Sequence, residues 1–144
     1  MQRYVLIAAA ISALLAAAGT GSQVHAQGTR KVISITAVSY KFTPNLITVN
    51  RGDTVVIQFS NDDTDRRFAH SFAARWLVNA QVTARGTFRT GVADERRFFA
   101  ADFGQKFEIE FVADQAGSFP FVCGIFNHGA LGQTGALNVV VGSQ

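Results

Sequence analysis

"FVCGIFNHGALGQTGALNVVV", residues 121–141, holds the only cysteine of the 144-residue chain and one of its three histidines, five positions apart. Ser118 to Cys123 and Ala136 to Val141 read as short strands with a glycine-rich loop between them, so Cys123 ends a strand and His128 follows in the loop. A single cysteine cannot form an internal disulfide, and an exposed free thiol in an oxidising compartment invites oxidation or intermolecular pairing. Cys123 is therefore either buried and inert or has its sulfur held by another group.

The compartment is read from the other end of the chain. Arg3 precedes an apolar or small run from Val5 to Ala18, and Val24-His25-Ala26 supplies a small-x-small cleavage pattern. This is the pattern of a secretory signal peptide over residues 1–26, and it predicts a periplasmic or secreted protein. No later stretch approaches the roughly 20 apolar residues of a membrane-spanning helix. A mature chain starting at Gln27 would have 118 of the 144 residues, the size of one domain, 27–144. It would carry 12 basic against 10 acidic side chains, a balance that does not argue for nucleic acid.

Along this chain the apolar period is two. Val55, Ile57 and Phe59 alternate with more polar neighbours, as do Phe107, Ile109 and Phe111. Further short strands are expected at Val32 to Val38 and Leu46 to Asn50, with turn signals at Pro44-Asn45, Arg51-Gly52-Asp53, Asp62-Asp63, Gly104 and Ala116-Gly117. Regular spacing of strands and turns predicts an all-β sandwich of two sheets, and 13 phenylalanines suit a wide aromatic core. Residues 73–103 break the alternation. Phe72, Trp76 and Ala80 fall at helical spacing before Gly86 and Gly91, which predicts a short helix followed by irregular chain. Five arginines here, Arg75, Arg85, Arg89, Arg96 and Arg97, face only Asp94, Glu95 and Asp102. They make either a solvated face with ion pairs or a docking patch for an acidic partner.

Cleavage would remove His25 and leave His70, His128 and Cys123. Singly, each has an ordinary structural explanation: a buried cysteine packs as a small hydrophobe, and a lone histidine is commonly a hydrogen-bonded one. Together, two imidazoles and a thiolate make the trigonal ligand set of a type 1 copper site, which a weak axial donor completes.

At these residues the sequence resembles the small cupredoxins. "YKFTPNLITVNRGDTVVIQFSNDDTDRRFAHSF", 40–72, is similar to the first half of that family: a Pro-containing extended segment, a strand, a Gly-Asp turn, a strand ending in Asn, and the first histidine ligand. "GQKFEIEFVADQAGSFPFVCGIFNHGALGQTGALNVVV", 104–141, is similar to the second: a Gly turn, a strand, a Gly-Ser-Phe approach, the cysteine, the second histidine and a Gly-x-Leu-x-Val closing strand. The resemblance implies a cupredoxin-like Greek-key sandwich, one copper ion held by His70, Cys123 and His128, and a non-enzymatic role carrying single electrons. It also implies that Ser71 restrains the cysteine loop. A partly exposed edge of His128 would meet a redox partner by transient contact, with the protein a monomer.

Two departures from the family stand out. Phe126-Asn127 replaces the usual Pro-Gly before the second histidine, and aligning on Gly135-Ala136-Leu137 puts Gln133 where the family usually has Met. The only methionine is Met1, so no thioether remains after cleavage. Gln133 as axial donor makes the site resemble the stellacyanin-like variant; a three-coordinate site or the Ala69 carbonyl is the other option. A harder oxygen donor favours the divalent ion and a lower reduction potential than a Met-ligated relative has. Multicopper oxidase or nitrite reductase chemistry would need further histidines. The competing expectations are a periplasmic copper carrier, sequestering protein or copper-enzyme assembly factor using the same site, or a metal-free interaction module.

Overall fold

The computed structural model describes residues 28–142. The expected signal peptide lies outside them. Eleven strands form two sheets. They are β1 (Arg30–Val38), β2 (Lys41–Thr43), β3 (Leu46–Asn50), β4 (Thr54–Asn61), β5 (His70–Ala74), β6 (Thr83–Gly86), β7 (Arg89–Ala93), β8 (Arg96–Ala101), β9 (Lys106–Val112), β10 (Gly117–Val122) and β11 (Thr134–Val140). One sheet runs β2-β1-β4-β9-β6 and the other β3-β11-β10-β5-β8-β7. Both are mixed, because β1 lies parallel to β4 and β3 parallel to β11 while the other neighbours are antiparallel.

The alternation in the sequence is what closes the sandwich. Val55, Ile57 and Phe59 of β4 stand opposite Phe111, Ile109 and Phe107 of β9, so the apolar members of each strand share one face. Phe59 and Phe107 stack with ring centroids 4.7 Å apart. From the second sheet Phe72 and Phe121 stack at 4.5 Å, and Phe42 reaches Phe121 at 5.4 Å. Ile35, Ile57, Phe59, Phe72, Phe99, Ile109 and Phe121 are all buried in this one core. Among the described residues no helix is long and apolar enough to cross a membrane.

The chain after Phe72 differs from its sequence reading. The expected helix is a single 3-10 turn, Trp76–Val78, with Leu77 buried, and the expected irregular chain is three strands. β6 extends the first sheet beside β9, and β8 and β7 extend the second beside β5. Composition hid them because their arginines are long enough to lie along a strand and end in water. Arg85 reaches Glu108 at 3.1 Å, Arg89 reaches Asp102 at 2.7 Å and Arg75 reaches Glu95 at 3.1 Å, all as exposed pairs. Ion pairing of three of the five arginines favours the solvated-face reading over the docking patch.

One buried carboxylate ties the chain's first described strand to the sandwich. Asp53 follows Gly52, whose φ of +93° turns the chain between β3 and β4. Its Oδ2 accepts the Asn50 N–H at 2.9 Å, and its Oδ1 accepts the Thr29 N–H at 2.8 Å and the Thr29 hydroxyl at 3.1 Å. The Asn50 N–H, against the opposing effect of burial, leads these bonds in holding the Asp53 pKa below its ordinary value. Replacing Asp53 by Ala leaves buried donors without an acceptor, and we expect urea unfolding to report a loss of about 1–3 kcal/mol with an unchanged m-value.

Candidate metal centre

Four segments meet at one end of the sandwich. His70 is the first residue of β5, Cys123 follows β10, His128 lies in the loop beyond, and Gln133 precedes β11. The loop is held by its own backbone: the Cys123 N–H donates to the Gln133 carbonyl at 2.9 Å, and the Gln133 N–H to the His128 carbonyl at 3.0 Å. Gly132 takes φ +103° just before Gln133. Gly135 is required by contact, since a Cβ there would lie 2.3 Å from Phe121 and 2.4 Å from the Asn45 carbonyl oxygen.

The structure brings His70, Cys123 and His128 together. Their ligand atoms all lie within 4.8 Å of one another, and all three residues are buried. Cys123 Sγ and His128 Nδ1 are 3.6 Å apart. Gln133, fully buried, brings Oε1 to 3.0 Å from His70 Nδ1. Its amide has one orientation here, because Nε2 donates to the Lys41 carbonyl at 3.3 Å and leaves the oxygen facing the cluster.

Ser71 holds the sulfur, as the resemblance implied. Its N–H points at Cys123 Sγ at 3.3 Å, its hydroxyl lies 3.8 Å from Sγ, and that same hydroxyl oxygen accepts the Gly124 N–H at 2.8 Å. One serine thus joins β5 to the loop after β10. The expected exposed edge of His128 is not found. His128 is 3% exposed, with Tyr40 packed edge-on at 4.9 Å and Phe68 at 5.8 Å. Phe126 is the exposed group instead: at 96% exposure and φ +45°, it projects from the loop two residues before His128.

Sequence reasoning missed Asp63. Its Oδ2 lies 3.0 Å from His70 Nε2 and also accepts the Ser39 N–H at 2.9 Å, while Oδ1 accepts the Asp65 N–H at 3.1 Å. Burial opposes the charge on Asp63, yet these donors hold its pKa down to about 2. The Asp62-Asp63 pair was legible only as a turn, and nothing in the sequence points its carboxylate at an imidazole.

This wiring tests the cluster as a metal site. An ionised Asp63 requires a proton on His70 Nε2, so Nδ1 must face the acceptor oxygen of Gln133 across 3.0 Å. Two acceptors that close need a cation. A second ring proton can meet this need, and although burial resists the charge, contacts to Cys123, Asp63 and Gln133 raise the His70 pKa. A metal ion meets the same need. His128 is the reverse case, its pKa lowered by burial and then by the nearby charge of His70, which favours the neutral imidazole that ligates. Metal–sulfur and metal–nitrogen bonds of roughly 2.3 and 2.0 Å at a trigonal angle would put S and N about 3.7 Å apart, close to the 3.6 Å found. One thiolate, two imidazoles and a buried amide oxygen fit copper better than a hard cation.

Comparison with solved structures agrees with this architecture. The chain matches auracyanin from the photosynthetic bacterium Roseiflexus castenholzii with a TM-score of 0.58 and 18% identity over 78% of this chain and 99% of that one. It matches auracyanin A, a "blue" copper protein of Chloroflexus aurantiacus, with a TM-score of 0.55 and 18% identity over 76% and 98%. The chain has the cupredoxin fold. An enzyme shares it: the copper nitrite reductase of Nitrosomonas europaea matches with a TM-score of 0.53 and 22% identity, over 78% of this chain but 42% of that one. No protein-family model and no curated protein matches the sequence.

The depressed Asp63 pKa has a consequence for the metal-free protein. Its contribution to stability is complete above the ordinary 3.8 and is lost as pH falls toward about 2. Acid unfolding should therefore lose part of its slope between these values in Asp63→Asn, and an identical slope would count against a native charge on Asp63.

Proposed function

We propose that the chain is an exported type 1 copper protein that carries single electrons between redox partners, with His70, Cys123 and His128 as ligands and Gln133 as axial donor. The observation that carries this reading is the buried His70-Cys123-His128 cluster with the Gln133 oxygen turned into it, in a cupredoxin fold. Export rests on the sequence pattern of residues 1–26.

When bound, copper supplies a one-electron couple between its divalent and monovalent states. The protein's part is to keep its ligands still. His70 is held from behind by Asp63, Cys123 by Ser71 and by its bond to the Gln133 carbonyl, and His128 by the packing of Tyr40 and Phe68. Groups fixed in this way need little rearrangement when the charge at the site changes. Burial of all three ligands keeps water away, and among the described residues no further histidine is present to build a second metal site. A carrier of electrons suits this arrangement better than a catalyst, which needs an open position for substrate, or a copper donor, which needs its ligands to let go.

Contact with a partner is assigned to the loop around His128. Phe126 and Leu131 are exposed there, at 96% and 52%, and offer an apolar surface next to the buried imidazole. Small contacts of this kind suit a transient encounter.

One equivalent of Cu(II) added to residues 27–144 should produce an intense thiolate-to-copper charge-transfer band that Cys123→Ser lacks. A colourless protein, or a spectrum indifferent to Cys123, contradicts the ligand assignment. Replacing Gln133 by Met exchanges an oxygen for a softer thioether and should raise the reduction potential. A potential unchanged or lowered in that variant removes Gln133 from the ligand set.

A further inference from the structure

Asp63 is nearly fully buried, and among the described residues its one charged partner is His70. Among the described residues no lysine or arginine pairs with it. Two of its three hydrogen bonds come from backbone N–H groups, of Ser39 and Asp65, and the third from the His70 ring. A carboxylate in this position leaves the imidazole no choice of tautomer, and across a poorly solvated ring its charge is felt by whatever His70 binds.

We propose that Asp63 is the positioning residue of the copper site: it fixes Nε2 of His70 as the protonated nitrogen, leaves Nδ1 as the ligand, and by its buried negative charge favours the divalent over the monovalent ion. The inference rests on the copper reading above. It adds that the low potential of this site has two sources, the Gln133 oxygen and a carboxylate behind the opposite nitrogen of His70. A purely architectural role, tying the Ser39 turn to the chain before β5, would use the same hydrogen bonds but not the charge.

Asp63→Asn separates the two. Its amide oxygen can occupy the Oδ2 position and keep the Ser39 and His70 bonds, while its NH2 group gives up the one bond from the Asp65 N–H, so the contact to His70 is retained and the charge removed. We expect Cu(II) binding, measured by competition with a chelator, to weaken roughly 10- to 100-fold, and Cu(I) binding to weaken less. Each tenfold of that difference raises the reduction potential, read by voltammetry with the electron supplied by the electrode, by about 59 mV. Asp62→Asn removes the same charge one residue away, where the carboxylate is exposed and bonds Ser60 rather than a ligand; it should leave the potential where it was.

Should Asp63→Asn not fold, the unmodified protein still decides the matter. In the diamagnetic Cu(I) form, nitrogen-15 spectra should show a slowly exchanging proton on His70 Nε2 and none on Nδ1. A proton on Nδ1, or equal rises in potential for Asp62→Asn and Asp63→Asn, overturns the proposal. With the Cys123-dependent band present, an unchanged potential in Asp63→Asn sinks the role of Asp63 alone. Absence of that band in the unmodified protein sinks the copper reading and this inference with it.

Discussion

A polar cluster buried at the end of an aromatic sandwich can persist only if each of its groups is partnered, because an unpaired buried polar atom costs several kcal/mol at the upper end of measured values, roughly 2–7 by the choice of reference. Here every partner comes from a different segment. His70 is bonded by Asp63 on one nitrogen and Gln133 on the other; Cys123 is bonded by Ser71, and Gln133 by the Lys41 carbonyl. The strands bring these segments together, and the cluster gives each a reason to stop where it does. Between His70 Nδ1 and the Gln133 oxygen, 3.0 Å apart, the contact is completed by a ring proton or by a metal ion, and that exchange makes the cluster a receptor for metal rather than a closed polar core.

The same wiring explains why the site would be stiff. A ligand fixed by one loop can shift with that loop, whereas His70 opens β5 in mid-sheet, and its neighbour Ser71 grips both the Cys123 sulfur and the Gly124 N–H. Tyr40 extends the coupling further. It stands in the turn between β1 and β2 with φ +66°, its ring against His128, and the preceding Ser39 N–H ends on Asp63. Movement of any one ligand would strain bonds made by the others, which is the property an electron carrier needs.

Much of this was legible in the sequence. Leu46 to Asn50 is a strand with the expected bounds, and the alternation around Val55 and Phe107 gave the two central strands and their shared inward face. His70, Cys123 and His128 stood out because the chain holds so few histidines and cysteines, and Gln133 only through the resemblance, by alignment on Gly135-Ala136-Leu137. β6 to β8 were hidden because paired arginines on a solvated strand read as loop. Asp63 was hidden for a deeper reason: a carboxylate after a strand is ordinarily a turn residue, and only the fold brings it behind His70. The burial of His128 had no local signal either, since its cover, Tyr40 and Phe68, is distant in sequence.

X-ray absorption at the copper edge of the loaded protein tests the central claim most directly, since it counts the atoms bound to the metal without assuming their identity. We predict one short sulfur scatterer and two imidazole nitrogens, the sulfur lost in Cys123→Ser. A shell of nitrogen and oxygen alone in the unmodified protein would contradict the account, because copper would then be bound somewhere other than the cluster of His70, Cys123 and His128.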